Sequence, residues 1–352
     1  MFLAVKEMQH EKFRYGLIIA MIVLIGYLIY VLTSLAIGLA RQNTLAIDSW
    51  EPKTVLMNRD ANISLDQSIL QKDDVGHLNK SQALIGQMAV IAKESNRQNE
   101  SARFIGLSKS QFIYQELKTT SGHLPTKTNQ IVVDDKFKDD GYRLKDRVVL
   151  NSDNTKFQIV GFLHDQRLNV APVIYGSLST WKALKGYRGN QIIGSAVMNK
   201  AGSPTYKHKA VKKYTKSQLV NKLPGYSAQN MTFGFMIGFL MAISLVVIAV
   251  FLYILTMQKL PNYAVLRAQG IPSSMLVKAT VYQSLLIVVI GLVISGVITW
   301  GTGKLLPLGV PIYFDIPVLL AVSAGLIIIS VLAALIPVRR IITIDPVTVI
   351  GG

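Results

Sequence analysis

The stretch QKLPNYAVLRAQGIPSSMLVK, residues 258–278, lies between two uncharged segments, residues 233–257 and 279–303, that are each long enough to cross a bilayer. Pro261 is favoured in the first turn of a helix, where its missing N–H is not needed, and Gly270 readily takes the left-handed conformation that ends one. The stretch therefore predicts a separate helix of about two to three turns that connects two membrane spans. A plain chain reversal is the alternative, although it needs only a few residues.

We name residues 258–278 the coupling segment. A helix this short is not stable alone, so it requires a surface on which to dock. Helical spacing places Tyr263, Val265 and Leu266 towards one side. Lys259 and Arg267 are then left to face water or a partner protein.

The chain has 352 residues, of which 50% are hydrophobic, and long apolar runs in it indicate a membrane protein. Each of four charge-free runs reaches the roughly 20 residues that a helix needs to cross a bilayer. The predicted spans are residues 15–40, 233–257, 279–303 and 316–338. The first is longer than the apolar part of a cleaved signal peptide, so we expect it to remain as an anchor.

Basic residues on the short connections predict the orientation of the spans, because cytoplasmic loops carry an excess of Lys and Arg. These residues are Lys6, Lys12, Arg14, Lys259, Arg267, Lys278, Arg339 and Arg340. The rule places both termini and the coupling segment in the cytoplasm and residues 41–232 outside a cell membrane. The other predicted segments are an interfacial amphipathic helix at residues 1–14, an outer loop at residues 304–315 and a cytoplasmic tail at residues 339–352.

Residues 41–232 predict an extracytoplasmic α+β domain, inserted between the first two spans and large enough for its own core. Two β-rich runs, residues 147–150 and 156–163, flank a polar turn and predict a hairpin. Further predicted elements are a strand at residues 131–133, a helix at residues 179–184 and a helix start at Ser64. The fold class is therefore a four-helix membrane protein with a large outer domain.

The predicted outer domain carries most of the charge of the chain. It holds 28 of the 37 Lys and Arg residues and 16 of the 20 Asp and Glu residues, a surplus of 12 positive charges. Such a surface attracts anionic lipid headgroups, wall polymers or carboxylated ligands. A basic proteome explains it equally well, and no nucleic-acid partner is expected outside the membrane.

The absence of several residue types and motifs limits the chemistry that this chain can perform. The chain has no cysteine, so it forms neither disulfides nor thiolate metal sites, and no metal site is predicted. It has no Gly-x-x-x-x-Gly-Lys-Ser/Thr motif for nucleotide phosphates, so we expect a non-catalytic subunit. The four predicted spans contain no Asp, Glu, Lys or Arg, which disfavours ion-coupled transport. Gly234 and Gly238 permit close helix approach, either at a dimer seam or within one subunit.

Local sequences across nearly the whole chain resemble the FtsX/MacB-like permeases of ABC transporters. YAVLRAQGI at residues 263–271 is similar to the segment that follows the second span in that family. GHLP at residues 122–125, IVVD at 131–134 and FQIVGFL at 157–163 are similar to its recurring outer-domain pattern. IDPVTVI at residues 344–350 resembles its C-terminal ending. The opening and closing residues are most similar to HrtB-type haem-export permeases of Gram-positive bacteria, with DevC-type exporters next.

The resemblance implies a MacB-like, type VII exporter fold and a transport mechanism driven from outside the chain. A homodimer would meet two copies of a separate ABC ATPase subunit that uses ATP, and the chain itself would hold no cofactor. The residues implied in ATPase coupling are Tyr263, Val265, Leu266, Arg267 and Gly270. The implied motion, called mechanotransmission, would export an amphiphilic molecule from the membrane lipid, with haem as the leading cargo.

For haem, the candidate iron ligands near the outer boundary of the membrane are Tyr226, Met231, Met236 and Tyr313, because Tyr and Met both ligate haem iron. Interfacial anchoring explains each residue as well, since aromatic residues concentrate at that depth. Two other functions stay open at this point. One is an FtsX-like regulatory permease that controls a wall hydrolase or senses antimicrobial peptides, and the other is a receptor that works without an ATPase.

Overall fold

The computed structural model describes residues 11–94, 97–151, 155–201, 210–307 and 310–342, apart from the side chain of Arg340. The predicted interfacial helix at residues 1–14 and the tail at residues 339–352 lie largely outside this part of the chain. The chain divides into two compact units, residues 1–38 with 230–352 and residues 39–229. We name the first the helical unit and the second the outer unit.

Four of the described helices are long and apolar enough to cross a membrane, namely the first and the last three. The helices are α1 (Lys12–Trp50), α2 (Phe112–Glu116), α3 (Lys136–Asp139), α4 (Leu178–Leu184), α5 (Lys216–Asn221), α6 (Tyr226–Ala268), α7 (Ser273–Leu305) and α8 (Ile316–Ile342). The large α+β unit is inserted between α1 and α6. This confirms the predicted fold class, although α1 and α6 extend well beyond the predicted spans.

Small residues allow α1 and α7 to approach each other closely at two points in the helical unit. A β-carbon at Gly26 would lie 2.6 Å from the Ser295 hydroxyl oxygen, and one at Gly291 would lie 2.5 Å from a methyl carbon of Ile22. The Ser295 hydroxyl also donates to the carbonyl of Val23 at 2.9 Å. Close packing and an interhelical hydrogen bond are the forces that hold helices together in lipid, where burial from water contributes little.

The coupling segment does not begin a separate helix. α6 runs from Tyr226 to Ala268 and contains Pro261 in its interior, so the predicted helix start at this proline is wrong. Proline removes one hydrogen-bond donor from the helix. The helix continues past it because Tyr263 and Ala264 are buried against Leu276 of α7 and Ile341 of α8.

Gly270 ends α6 in the predicted way. Its φ is 91°, its N–H donates to the carbonyl of Arg267 at 2.9 Å, and the N–H of Ile271 donates to the carbonyl of Leu266 at 3.1 Å. These two bonds form a Schellman motif, in which a left-handed residue lets the chain turn back on the last helical carbonyls. Pro272 then stands at the N-cap of α7.

The outer unit has 13 described strands, of which 11 form one mixed sheet. The strands are β1 (Thr54–Asn58), β2 (Leu70–Gln71), β3 (Gln82–Lys93), β4 (Glu100–Leu107), β5 (Thr119–Gly122), β6 (Gln130–Asp134), β7 (Arg147–Leu150), β8 (Lys156–Leu163), β9 (Arg167–Leu168), β10 (Ala171–Ser177), β11 (Ile192–Gly194), β12 (Ala196–Asn199) and β13 (Val211–Thr215). The main order is β13-β1-β12-β3-β4-β10-β6-β8-β5, with β7 beside β3 and β8, and β9 beside β10. β2 and β11 form a small second sheet.

The predicted elements of the outer domain are found with one exception. β7 and β8 form the predicted antiparallel hairpin, β6 covers the strand predicted at residues 131–133, and α4 covers the helix predicted at residues 179–184. No helix begins at Ser64. One turn closes there, and the Ser68 hydroxyl then bonds to the carbonyl of Ser195 at 2.6 Å and accepts from the N–H of Asn58 at 3.0 Å. These contacts direct the chain into β2.

Candidate functional site

The coupling segment presents only part of its predicted docking surface. The side chain of Val265 is 45% exposed, whereas Leu266 and Arg267 are half-buried. Tyr263 is buried, and its hydroxyl lies 3.3 Å from that of Thr280 on α7. Val265 is therefore the apolar position best placed to meet a partner, whereas Tyr263 anchors the end of α6 to α7.

Lys259 is buried rather than exposed to water, which corrects the prediction from helical spacing. Its side chain is 4% exposed, and its ammonium donates to the Tyr15 hydroxyl of α1 at 2.6 Å and to Gln283 Oε1 of α7 at 3.3 Å. The Gln283 amide also donates to the Tyr15 hydroxyl. We name these three residues the lysine cluster.

The lysine cluster joins three helices at the start of the coupling segment. Burying a charge is unfavourable unless hydrogen bonds replace the lost water. Here a hydroxyl oxygen and an amide oxygen supply part of that replacement. A movement of Lys259 with the coupling segment must therefore carry Tyr15 and Gln283 with it or break these bonds, so α1 and α7 are tied to the segment.

The outer half of α6 carries an open apolar groove of about 490 Å³. Its lining residues are Met231, Gly234, Phe235, Gly238, Phe239 and Ala242. No described atom lies within 4 Å of the position that a β-carbon would take at Gly234 or Gly238. The sequence left two interpretations of these glycines open, a dimer seam or helix packing within one subunit. Packing of another helix of the same subunit against them is not found in the described part of the chain.

The four candidate haem ligands do not meet at this groove. Met231 lines it and is 62% exposed, whereas Met236 is 41% exposed and does not line it. Tyr313 is 38% exposed and precedes α8, where its backbone N–H donates to the carbonyl of Ser34 at 3.1 Å. Tyr226 belongs to the outer unit and packs, half-buried, against its core.

A chain of buried hydrogen bonds holds the end of α1 in the outer unit, and sequence patterns did not reveal it. The Trp50 indole donates to the Tyr175 hydroxyl at 3.0 Å, and that hydroxyl donates to Gln166 Oε1 at 2.5 Å. The Gln166 N–H in turn donates to Asp134 Oδ2 at 2.6 Å. We name Trp50, Tyr175, Gln166 and Asp134 the α1 joint.

Burial changes the ionisation of two members of the α1 joint. It raises the pKa of Asp134 to about 6, against the opposing effects of the N–H groups of Lys136 and Gln166 and the charge of Arg167. Burial also raises the pKa of the Tyr175 hydroxyl, which therefore stays protonated and remains a donor. The joint thus has one group that titrates in the mildly acidic range.

The family description "FtsX-like permease C-terminal" matches residues 234–346, which contain most of α6, the coupling segment, α7 and α8. Residues 234–346 are an FtsX-like permease domain. The resemblance predicted from YAVLRAQGI at residues 263–271 is thereby confirmed for this domain. The chain accordingly contains an FtsX-like permease domain in its C-terminal third.

Relatives match the FtsX-like domain together with the rest of the chain. A protein of Staphylococcus haemolyticus strain JCSC1435 is 24% identical over 355 residues and one of Staphylococcus epidermidis strain ATCC 12228 is 26% identical over 359 residues. In both cases 99% of this chain and 99% of the relative are covered. Both relatives carry the name "Putative hemin transport system permease protein HrtB".

Two solved structures are each similar to somewhat less than half of the chain. The periplasmic region of MacB from Actinobacillus actinomycetemcomitans is 17% identical, with a TM-score of 0.36, and the match covers 49% of this chain and 93% of that region. The extracellular domain of YknZ from Gram-positive bacteria is 12% identical, with a TM-score of 0.30, and the match covers 43% of this chain and 84% of that domain.

The lysine cluster predicts a coupling between mutations. Tyr15→Phe removes an acceptor from a buried ammonium and should lower the stability of the protein by about 1–3 kcal/mol. In a Lys259→Met background, Tyr15→Phe should lower the stability by much less, because no buried charge then needs the hydroxyl oxygen of Tyr15. Thermal unfolding of the four proteins in detergent measures the difference. Additive effects would contradict the described contact, and Lys278→Met, at an exposed position, is the matched control.

The α1 joint predicts a pH dependence. Because Asp134 has a folded pKa of about 6, above its ordinary 3.8, the folded state holds a proton that the unfolded chain releases between these values. The contribution of Asp134 to stability therefore falls as pH rises through this range, by about 1 kcal/mol between pH 5 and pH 7. Thermal unfolding of the full chain, followed by tryptophan fluorescence, should show that Asp134→Asn removes this slope. Asp139→Asn, at an exposed carboxylate, should keep it; an unchanged slope in Asp134→Asn would refute the assignment.

Proposed function

We propose that this chain is the membrane subunit of an ABC transporter that exports an amphiphilic molecule, with haem as the leading cargo and with energy from a separate ATPase. The observation that carries the proposal is the match to relatives named as hemin transport permeases, which extends over 99% of each chain. A match over both units supports membrane helices and an outer domain of the same kind as in those relatives, whereas a match confined to the helices would support only a permease.

The ATPase partner is proposed to dock on the coupling segment. Val265 is exposed there, Leu266 and Arg267 are partly exposed, and the turn at Gly270 holds the following helix in place. This surface is in the cytoplasm if the basic flanks set the orientation, so both termini would be cytoplasmic and the outer unit extracellular. ATP is then used by the partner, and the chain holds no cofactor of its own.

The lysine cluster and the α1 joint are the proposed means of transmission. Displacement of the coupling segment moves Lys259, and Lys259 is bonded to Tyr15 near the beginning of α1. Trp50 at the end of the same helix is bonded into the outer unit. We therefore infer that α1 carries motion from the ATPase side to the outer unit, which is the physical content of mechanotransmission.

The groove on α6 is the proposed contact between two copies of the chain and the place where cargo enters from the outer leaflet. Gly234 and Gly238 leave its floor open, and two phenylalanines, Phe235 and Phe239, flank it. Flat aromatic cargo suits such a surface, because aromatic rings stack in offset or edge-to-face arrangements. Met231 is the candidate iron ligand within the groove, and Tyr226, Met236 and Tyr313 remain candidates outside it.

Docking on the coupling segment is tested at Val265. Val265→Asp places a charge in an apolar contact and should weaken association with the ATPase subunit by about 2 kcal/mol, or roughly thirty-fold. Binding measured by surface plasmon resonance and ATP turnover in liposomes should fall together. Val265→Ile is the matched control and should behave as the natural protein. An Asp variant that binds and stimulates the ATPase normally would exclude this surface.

The cargo is tested with hemin itself. Hemin titrated into the purified chain in nanodiscs should shift its Soret band, and Met231→Leu should weaken or alter that shift. Met257→Leu, a similar change on α6 outside the groove, should leave it unchanged. If the natural protein causes no shift of the Soret band, and if hemin does not change the rate of ATP turnover, haem is not the cargo. A normal shift in Met231→Leu would remove only the ligand assignment.

A further inference from the structure

A second groove, of about 390 Å³, lies between α1, α7 and α8, and the proposed function makes no use of it. Tyr30 belongs to its α1 wall, Gly296 and Trp300 to α7, and Phe314 and Leu320 to the chain that enters α8. On α7 the lining runs from Leu292 to Trp300, about 12 Å along the helix axis. The groove is therefore long and narrow and follows the helices.

The polar groups at the floor of this groove already have hydrogen-bond partners within the protein. The Tyr30 hydroxyl lies 2.5 Å from that of Ser323 on α8, and the Thr299 hydroxyl donates to the carbonyl of Ser295 at 2.8 Å. An apolar chain lying in the groove would thus leave none of these hydroxyls without a partner. The wall residues Val293, Val297 and Leu320 are each more than 60% exposed, so the groove is open along an apolar side.

One end of the groove has residues that are typical of the membrane interface. Trp300 is 56% exposed, and the Lys304 ammonium lies 3.8 Å from the centre of one of its rings. Tryptophan concentrates at the level of lipid headgroups, and a lysine beside it places a positive charge where phosphates lie. The nearby carboxylate of Asp315 is engaged as a cap of α8, since its Oδ1 accepts from the N–H of Val318 at 3.3 Å.

We propose that this groove is a binding site for one phospholipid of the outer leaflet. One acyl chain lies along α7 from Trp300 towards Leu292, and the phosphate pairs with Lys304. The charge at the mouth and the apolar, hydrogen-bonded interior match the two ends of such a molecule. Haem suits it less, because the lining contains no His or Met, and its tyrosine hydroxyl is bonded to Ser323. The site does not depend on what the chain exports.

The test is native mass spectrometry of the full chain, released from nanodiscs of phosphatidylglycerol or of a diglucosyl-diacylglycerol with the same acyl chains. We expect one tightly retained phosphatidylglycerol, and about five-fold weaker retention of it in Lys304→Gln. Gly296→Leu should remove it, because a β-carbon there lies 4.0 Å from the Tyr30 ring and the added side chain fills the groove. Gly301→Leu, on the same helix with no atom within 4 Å, should retain it.

The alternatives give different results. Equal retention in Gly296→Leu and the natural protein would mean ordinary surrounding lipid and would overturn the site. Equal retention of the glycolipid, unaffected by Lys304→Gln, would overturn the role of the phosphate. If hemin displaces the lipid, and if hemin binding is itself lost in Gly296→Leu, the groove is a cargo site instead. Because Lys304 is exposed, its variant is expected to fold even if Gly296→Leu does not.

Discussion

The hydrogen bond from the Trp50 indole to the Tyr175 hydroxyl is the buried polar contact that fixes the last residue of α1 against the outer sheet, where Ala46 and Ile47 of the same helix also belong to the core. In the α1 joint Trp50 donates, Tyr175 and Gln166 both accept and donate, and Asp134 accepts, so withdrawing Trp50 removes a donor from Tyr175 and disturbs Gln166 and Asp134 in turn. A buried polar group left without a partner costs about 1–3 kcal/mol. The end of α1 and the strands that hold Tyr175 and Asp134 are therefore constrained to move as one body.

The lysine cluster supplies a corresponding constraint near the beginning of the same helix. Tyr15 and Trp50 both belong to α1, 35 positions apart, and no charged residue occurs between Arg14 and Arg41. A helix transmits axial displacement well because its own hydrogen bonds hold its length. The chain thus has polar anchors at the two ends of α1, and the uncharged residues 16–40 lie between them.

Local sequence patterns predicted the elements whose structure depends mainly on residues close together in the sequence. The four spans follow from apolar length, Gly270 from its freedom to adopt positive φ, and the β7–β8 hairpin from two β-rich runs around a polar turn. The predictions for Pro261 and Lys259 were wrong because the deciding contacts are distant in sequence. Ile341 packs with Tyr263 and Ala264, just after the proline, and Tyr15 binds Lys259 from 244 positions away. The α1 joint combines residues of four separate elements or loops, and no spacing rule connects them.

The glycines of the helical unit show how one residue type serves two purposes. Gly26 and Gly291 leave room that Ser295 and Ile22 fill, so they belong to packing within the subunit. Gly234 and Gly238 leave room that no described atom fills. In water an open apolar groove would be costly, but in a bilayer lipid solvates it, so the groove can persist until another helix packs more closely than lipid does. This difference, rather than the Gly-x-x-x-Gly spacing that the sequence displays, is the reason for proposing that a second copy of the chain packs at α6.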